Sequence, residues 1–521
     1  MTRRDRLTRA AALLAGAALI LLAGCAPEPE SGWTPAAWSN AAVTVTTMPD
    51  PVDATTVADL EGQRIRNDTV GIQARWMQLP GDASIDARLT QVVRDAVSAQ
   101  ASAAGAAYAP AVFPQGTGLA DRTCVDGSTL RAGSELLADA ALGPADGTGT
   151  AVACDVVAAA GTFFGERLRV VTGSGGTVTA DATTVLYTDT ATGEVVSADQ
   201  LWTDAAAGAL WDDVVDALRR QAGALSLATV APATDDELAA VRAALAQTVV
   251  AADGSLVFTL PAGFTAPALS DAGIGATTEP VTIGVSPAAS AGLVTDFATG
   301  LMAAAGTAYQ APAAVAAGFE AVDCTLVPCV AMTYDDGPSD WTPQILDAVA
   351  AHHAAVTFFA MGQKAATYAT TMQRALAEGN LVENHTWDHP HLTTLTAAEV
   401  TAQIQDTTAA ITAATGTAPT VFRPPYGQYD STVLAAAGMA AITWDVDSLD
   451  WTGLADDALT ERVVDGPSPG SIVLQHDIQQ NTIRTVSAVY DGLADRGFTI
   501  VNLKQLFGGT LPTSGVWSDA R

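Results

Sequence analysis

Two histidines four residues apart, His385 and His389, and two adjacent carboxylates, Asp335 and Asp336, are the residues of this chain best suited to hold a divalent metal. A His-x3-His pair on one helical turn directs both imidazoles to the same side. With Asp336 the set becomes two imidazoles and one carboxylate with a coordination position left open, the pattern of a catalytic zinc site rather than a structural one. Asp335 stands at the turn opened by Gly337-Pro338, so both carboxylates can reach one pocket, and a cation on one relieves their mutual repulsion. Asp336 then reads as the ligand and Asp335 as the base toward an attacking water. His476 suits the opposite task, protonating a leaving group, with Asp450 to orient it and favour its charged form. Arg423 is placed to pair with Asp335. His391 is expected to point elsewhere, and His352 and His353, at a helix end, read as structural.

These residues follow a rule of position. Strand candidates at Val330–Tyr334, Val356–Ala360, Leu381–Glu383, Val421–Phe422, Ala441–Trp444, Ile472–Leu474 and Thr499–Val501 alternate with helices near Pro343–His352, Ala365–Ala377, Ala397–Ala413, Ser431–Ala437 and Arg484–Ala494. Such alternation implies a parallel sheet with right-handed crossovers. About seven strands suit an incomplete (β/α) barrel, with a doubly wound open sheet as the rival. Each candidate functional residue falls just after a strand, where the strand ends of such folds converge on one face.

Upstream, Val70–Leu79 reads as a strand and Ile85–Val97 as a helix. Thr192-Gly193 and Asp253-Gly254 mark hairpins, and helices are expected at Ala205–Leu225 and Asp235–Gln247. This is an α+β accessory domain. The organisation expected is a signal at 1–24, a tether at 25–66, the accessory domain at 67–290, a linker at 291–323, the α/β domain at 324–509 and a tail at 510–521.

The chain has 521 residues, and 24 Lys+Arg against 56 Asp+Glu give a formal charge of −32. With so few cations a nucleic-acid partner is excluded. The Arg-rich start, the short apolar run and Leu22-Ala23-Gly24-Cys25 resemble a bacterial lipoprotein signal, with Cys25 taking the lipid. An extracytoplasmic, lipid-anchored chain is compatible with disulfides. Four further thiols allow three pairings, of which proximity favours Cys124–Cys154 and Cys324–Cys329.

Thr333-Tyr334-Asp335-Asp336-Gly337-Pro338, His385-Thr386-Trp387-Asp388-His389, Arg423-Pro424-Pro425-Tyr426-Gly427, Asp447-Ser448-Leu449-Asp450-Trp451 and Leu474-Gln475-His476 resemble, in order, the five motifs of polysaccharide deacetylases with a NodB-homology domain, the carbohydrate esterases of family four. Tyr334 replaces a usual Phe, and Glu383 a common Gly. The resemblance implies a distorted (β/α)7 barrel and removal of acetyl groups from N-acetylated sugars. It implies metal ligation by Asp336, His385 and His389, with zinc foremost and cobalt, nickel or manganese as alternatives. It makes Asp335 the base, His476 the acid, and Asp450 and Arg423 their orienters. The Tyr426 backbone N–H would stabilise the oxyanion, with Pro425, Trp451 and Leu474 lining the substrate. Trp341, Trp387 and Tyr429 could stack on sugars. The segment from Val185 to Arg220 is similar to the ectodomain of lysozyme-sensing anti-sigma factors, which implies lysozyme or another envelope protein as a partner. The leading expectation is a lipid-anchored deacetylase of peptidoglycan, acting on GlcNAc or MurNAc units. The alternatives are an O-acetyl esterase on xylan or another glycan, and an envelope sensor acting through its N-terminal domain.

Overall fold

The computed structural model describes residues 42–114, 119, 121–224 and 229–521. The expected signal and Cys25 lie outside the described residues. Among the described residues no helix is long and apolar enough to cross a membrane.

The first part of the chain builds two sheets. Six strands, β2 (Glu61–Asn67), β3 (Ile72–Gln78), β4 (Gly149–Ala160), β5 (Phe163–Ser174), β6 (Thr177–Asp189) and β7 (Glu194–Ser197), pair in sequence order. The helix Ala83–Ala104 buries Ile85, Leu89 and Val93 against this sheet. The second sheet has the order β1 (Val43–Val45), β10 (Val281–Val285), β9 (Leu256–Leu260), β8 (Val249–Val250). It shares a core with the amphipathic helix Ala206–Gln221, whose Leu210, Trp211, Val214 and Val215 are all buried. Both expected hairpins form, as β6–β7 and β8–β9.

Three expected connecting segments are built into the fold. Within the expected tether, β1 pairs with β10, and β2 is an edge strand. Arg64 of β2 looks like a solvent residue in sequence, but its buried guanidinium donates to the carbonyls of Leu119, Asp121 and Ala141. Within the expected linker, the helix Asp296–Ala304 buries Ala298 and Leu301 in the second core. Its small residues serve close packing: a Cβ on Gly300 would sit 3.0 Å from the Phe163 ring. The expected tail supplies β19 (Val516–Trp517), which pairs with β15.

The second part of the chain is a parallel α/β sheet curved into a half-barrel. Its order is β16 (Val446–Asp447), β17 (Ser471–His476), β11 (Cys329–Asp335), β12 (Thr357–Ala360), β13 (Leu381–Asn384), β14 (Val421–Phe422), β15 (Ala440–Ile442), β19, with β18 (Thr499–Val501) also on β11. The last residues reach across the opening: Asp519 bridges Ser471, and Arg521 pairs with Asp445. Period-two alternation sorts β11. Val330, Met332 and Tyr334 pack outward against the helices Thr342–Ala351 and Gln480–Asp495. Ala331, Thr333 and Asp335 therefore face inward. Tyr334 keeps its hydroxyl satisfied by Tyr490 at 2.8 Å. Glu383 accepts from the N–H groups of Thr420 and Val421, which ties β13 to the start of β14.

One apolar cluster runs from the six-stranded sheet (Ile65, Trp76) and its helix (Leu89) into the barrel (Ala331, Phe359, Ile442). Polar ties cross the same seam: Arg122 donates to the carbonyls of Ala494 and Phe498, and the Phe113 N–H to that of Arg496. Cys124–Cys154 and Cys324–Cys329 are disulfide-bonded.

Candidate active site

Asp335 ends β11 and lies opposite His476, the last residue of β17, in the parallel register. Asp336 leaves the strand with φ 72°. The next residue must be glycine, because a Cβ on Gly337 would stand 2.0 Å from the buried Asp477 carboxylate. Asp477 accepts from Thr342 and from the Ser339–Trp341 turn side through its backbone oxygen, which takes the Ser339 hydroxyl at 2.6 Å. Burial pushes the Asp477 carboxyl up to about 7.

His385 follows β13, but the expected helical turn carrying both histidines is not formed. Residues 385–389 make an irregular loop in which Thr386 and His389 have φ 67° and 63°. Local hydrogen bonds set this path. The Asn384 side chain accepts from the Thr386 N–H. Gln403, on the helix Ala397–Thr415, accepts from the Trp387 N–H and donates to Asp388. The loop still brings the imidazoles together, with ring centroids 5.0 Å apart.

Asp336 Oδ1 lies 3.3 Å from His385 Nε2 and 3.4 Å from His389 Nε2. It is buried and has no hydrogen-bond partner. His385 Nδ1 donates to the Arg423 carbonyl at 2.9 Å, which leaves the Nε2 lone pair facing Asp336. A buried carboxylate oxygen facing two imidazole nitrogens fits a divalent cation, and the three ligand atoms lie within 4.8 Å of one another. Burial pushes the Asp336 carboxyl up, but the neighbouring His385, His476 and His389 imidazoles outweigh it and hold it well below the usual range. Burial pulls the His389 imidazole down, which keeps it neutral and able to ligate.

Arg423 ends up fully buried between the Phe359 and Trp444 rings. Its guanidinium donates to Asp335 Oδ1 at 2.8 Å, to Thr333 at 2.7 Å and to the carbonyls of Ile442 and Thr443. Asp335 Oδ2 is left on the His385 side, 3.6 Å from its Nε2. Across the site His476 Nδ1 meets Asp450 Oδ1 at 2.7 Å, and its backbone N–H donates to Asp450 Oδ2. Thr482 and the Trp451 N–H complete the carboxylate's partners. Burial lowers the His476 pKa, but the bond to Asp450 and the charges of Asp450, Asp335 and Asp336 prevail and raise it to about 9.

The remaining sequence candidates divide. Pro425 and Leu474 are buried, with Leu474 registered against the inward-facing Thr333. Tyr426, Trp451, Tyr429 and Trp387 are large exposed rings, at 53%, 59%, 42% and 38%. Trp341 is half-buried at the start of its helix. His391 is exposed and lies outside the Asp336, His385 and His389 group, as expected, and its ring stacks on Tyr426 at 4.0 Å. His352 and His353 bond to other parts of the fold, as structural residues do. Sequence reasoning missed Thr333, Thr482, Gln403 and Asp477. Only Thr333 lay inside a quoted motif.

A parallel α/β half-barrel with a Asp-His-His donor set flanked by an Arg-held carboxylate and an Asp-held histidine defines a hydrolase of the carbohydrate esterase type. Residues 323–444 match the family pattern described as polysaccharide deacetylase. The chain is 37% identical over 183 residues to the peptidoglycan-N-acetylglucosamine deacetylase PgdA of Listeria monocytogenes, covering 35% of this chain and 39% of that protein. It is 36% identical over 178 residues to the peptidoglycan-N-acetylmuramic acid deacetylase PdaC of Bacillus subtilis, covering 34% and 38%. It is 36% identical over 199 residues to a chitooligosaccharide deacetylase of Sinorhizobium fredii, covering 35% and 93%. The chain thus spans about two fifths of the length of the first two relatives. It belongs to the polysaccharide deacetylase family, the family-four carbohydrate esterases.

Proposed function

We propose that the chain removes N-acetyl groups from cell-wall peptidoglycan, at GlcNAc or MurNAc units, in a divalent-metal-dependent hydrolysis. The observation that carries this reading is the unpartnered Asp336 Oδ1 between two imidazole nitrogens, with a base on one side and an acid on the other. Relatives named for both sugars support the substrate class and leave the choice between the sugars to experiment.

Asp336, His385 and His389 would hold the ion, with zinc first among the candidates. What a bound divalent ion supplies is Lewis acidity toward the acetyl carbonyl and the attacking water. Asp335 takes the proton from that water, and Arg423 holds one of its oxygens so that the other faces the site. The Tyr426 backbone N–H, on a turn with φ 61°, supplies a donor to the oxyanion. His476, charged at neutral pH, gives its proton to the departing amine. Asp450 keeps that imidazole oriented and charged. The exposed rings of Trp451, Tyr429 and Trp387 offer faces for sugars. We further infer an extracytoplasmic chain anchored through Cys25. The leader sequence and the two disulfides support this, and fatty-acid labelling lost in Cys25→Ala tests it. The likeness of the Val185–Arg220 segment supports lysozyme as a partner, testable by direct binding to the full chain.

Mass spectrometry of muropeptides after treatment, beside acetate assays on acetylated xylan, tests the activity. Free amines on one of the two peptidoglycan sugars are expected. Acetate release confined to acetylated xylan would replace this reading with the O-acetyl esterase one.

A further inference from the structure

Tyr426 is an unusual residue to leave on a surface. It has φ 61°, a conformation side chains rarely adopt, and its ring is about half exposed. Core packing therefore does little to fix it. Two rings do the holding. His391 lies flat against it, with centroids 4.0 Å apart and planes 17° apart, and His389 meets it edge-on at 4.5 Å. His391 is itself fixed: its Nδ1–H donates to the Gln428 side-chain oxygen at 3.1 Å. Its carbonyl also accepts from the Thr394 N–H and hydroxyl, closing the turn at Leu392–Thr394. The imidazole thus contacts the residues on both sides of Gly427, stacking on one and bonding the other. It joins the loop after β13, which carries His385 and His389, to the turn after β14, which carries Tyr426.

We propose that His391 is a positioning residue for the reaction, holding Tyr426 in the left-handed conformation that directs its backbone N–H to the acyl centre. This rests on the deacetylase reading above, in which that N–H stabilises the oxyanion. His391 touches no reacting atom. It acts through the Tyr426 ring, so a flat side chain at position 391 suffices and the hydrogen bond to Gln428 is secondary. The stack is an aromatic contact of ordinary strength, and its effect comes from the placement of one donor.

The test uses the full chain with His391→Ala and His391→Phe. In His391→Ala, kcat for acetate release is expected to fall about tenfold with KM within twofold, since a displaced oxyanion donor affects the transition state and not substrate binding. His391→Phe restores most of kcat. Amide hydrogen exchange across residues 426–428 is expected to quicken in His391→Ala and return toward wild type in His391→Phe. Zinc affinity, measured by calorimetry, stays unchanged in both variants. Unchanged kcat in His391→Ala overturns the proposal. So does a loss confined to KM, which would make the ring pair a sugar platform, and so does weakened zinc binding, which would place the effect on the ligands. If the wild-type chain released no acetate from any glycan, the deacetylase reading would fail. The exchange data would still decide the positioning claim, and unaltered exchange in His391→Ala would overturn it.

Discussion

Two clusters of carboxylates and imidazoles in this molecule look alike in composition and differ in geometry. At the strand ends, one oxygen of Asp336 faces the Nε2 atoms of two histidines, at 3.3 and 3.4 Å. At the seam between the six-stranded sheet and the barrel, one histidine faces two carboxylates through different nitrogens: His353 Nδ1 meets Glu61 at 3.3 Å and Nε2 meets Glu320 at 3.1 Å. In the first cluster the lone pairs converge on a common point, as ligation requires. In the second, one ligand atom from each residue also lies within 4.8 Å of the others, but the two carboxylates sit at different nitrogens of one ring. A neutral imidazole has one N–H, so it would turn a lone pair toward one of the two carboxylates, whereas an imidazolium donates to both. The first arrangement suits a cation, the second a proton. Charge supports the contrast. The Glu320 hydrogen bond leads a set of effects that raise the His353 pKa above its ordinary value against burial, while burial leads those that lower His389. Burial also pushes Glu61 up to about 7, partly offset by His353. Residue type alone does not make a metal site. The direction of the lone pairs decides it.

The largest effect expected from this contrast is at the convergent cluster. Asp336→Ala should lower acetate release on the order of 10⁴-fold and abolish zinc binding by calorimetry, because the Lewis acidity is worth several kcal/mol. His353→Gln, at the other cluster, should leave both unaltered.

A smaller effect is expected from Asp450→Asn, seen in the pH profile of acetate release. His476 must be protonated to act as acid, so the rate falls as pH rises through about 9. Removing the carboxylate leaves only the charges of Asp335 and Asp336 against burial, and the alkaline limb should move down toward the ordinary imidazole value of about 6.5. The loss is then severe at pH 8 and slight at pH 6. An unmoved limb would assign the proton to another group.

The smallest effect is at the seam. Folding raises the His353 pKa, so its contribution to stability is complete below the ordinary imidazole pKa and disappears as pH rises through the raised value. Thermal unfolding of His353→Gln should fall below wild type by about 2 °C near pH 6 and coincide with it on the alkaline side. A difference that persists or grows with pH would contradict the imidazolium bridge.

What could be read from sequence followed chemical density and periodicity. Asp335, Asp336, His385, Arg423 and His476 stand at strand ends, where polar residues are otherwise costly, and Val330/Met332/Tyr334 alternate cleanly in β11. The elements hardest to read were those whose composition misrepresents their burial. β6 begins with an exposed stretch, Thr177 to Ala182, whose alternating apolar positions hold only Val178 and two alanines. The helix Asp296–Ala304 carries three alanines and a glycine, small residues that serve its close packing. The positive φ values at Thr386 and His389 come from Asn384 and Gln403, the second of them 14 residues beyond His389. The Asp450 partner Thr482 lies 32 residues away on the helix Gln480–Asp495, and no local spacing points to it.

The most direct measurement is acetate release from purified peptidoglycan by the full chain, stripped of metal and titrated with zinc. The account predicts no release from the stripped protein and full recovery at one equivalent, in wild type and His353→Gln alike. Release that survives stripping, no release at any zinc level, or a second equivalent needed for activity and lost with His353 would contradict it.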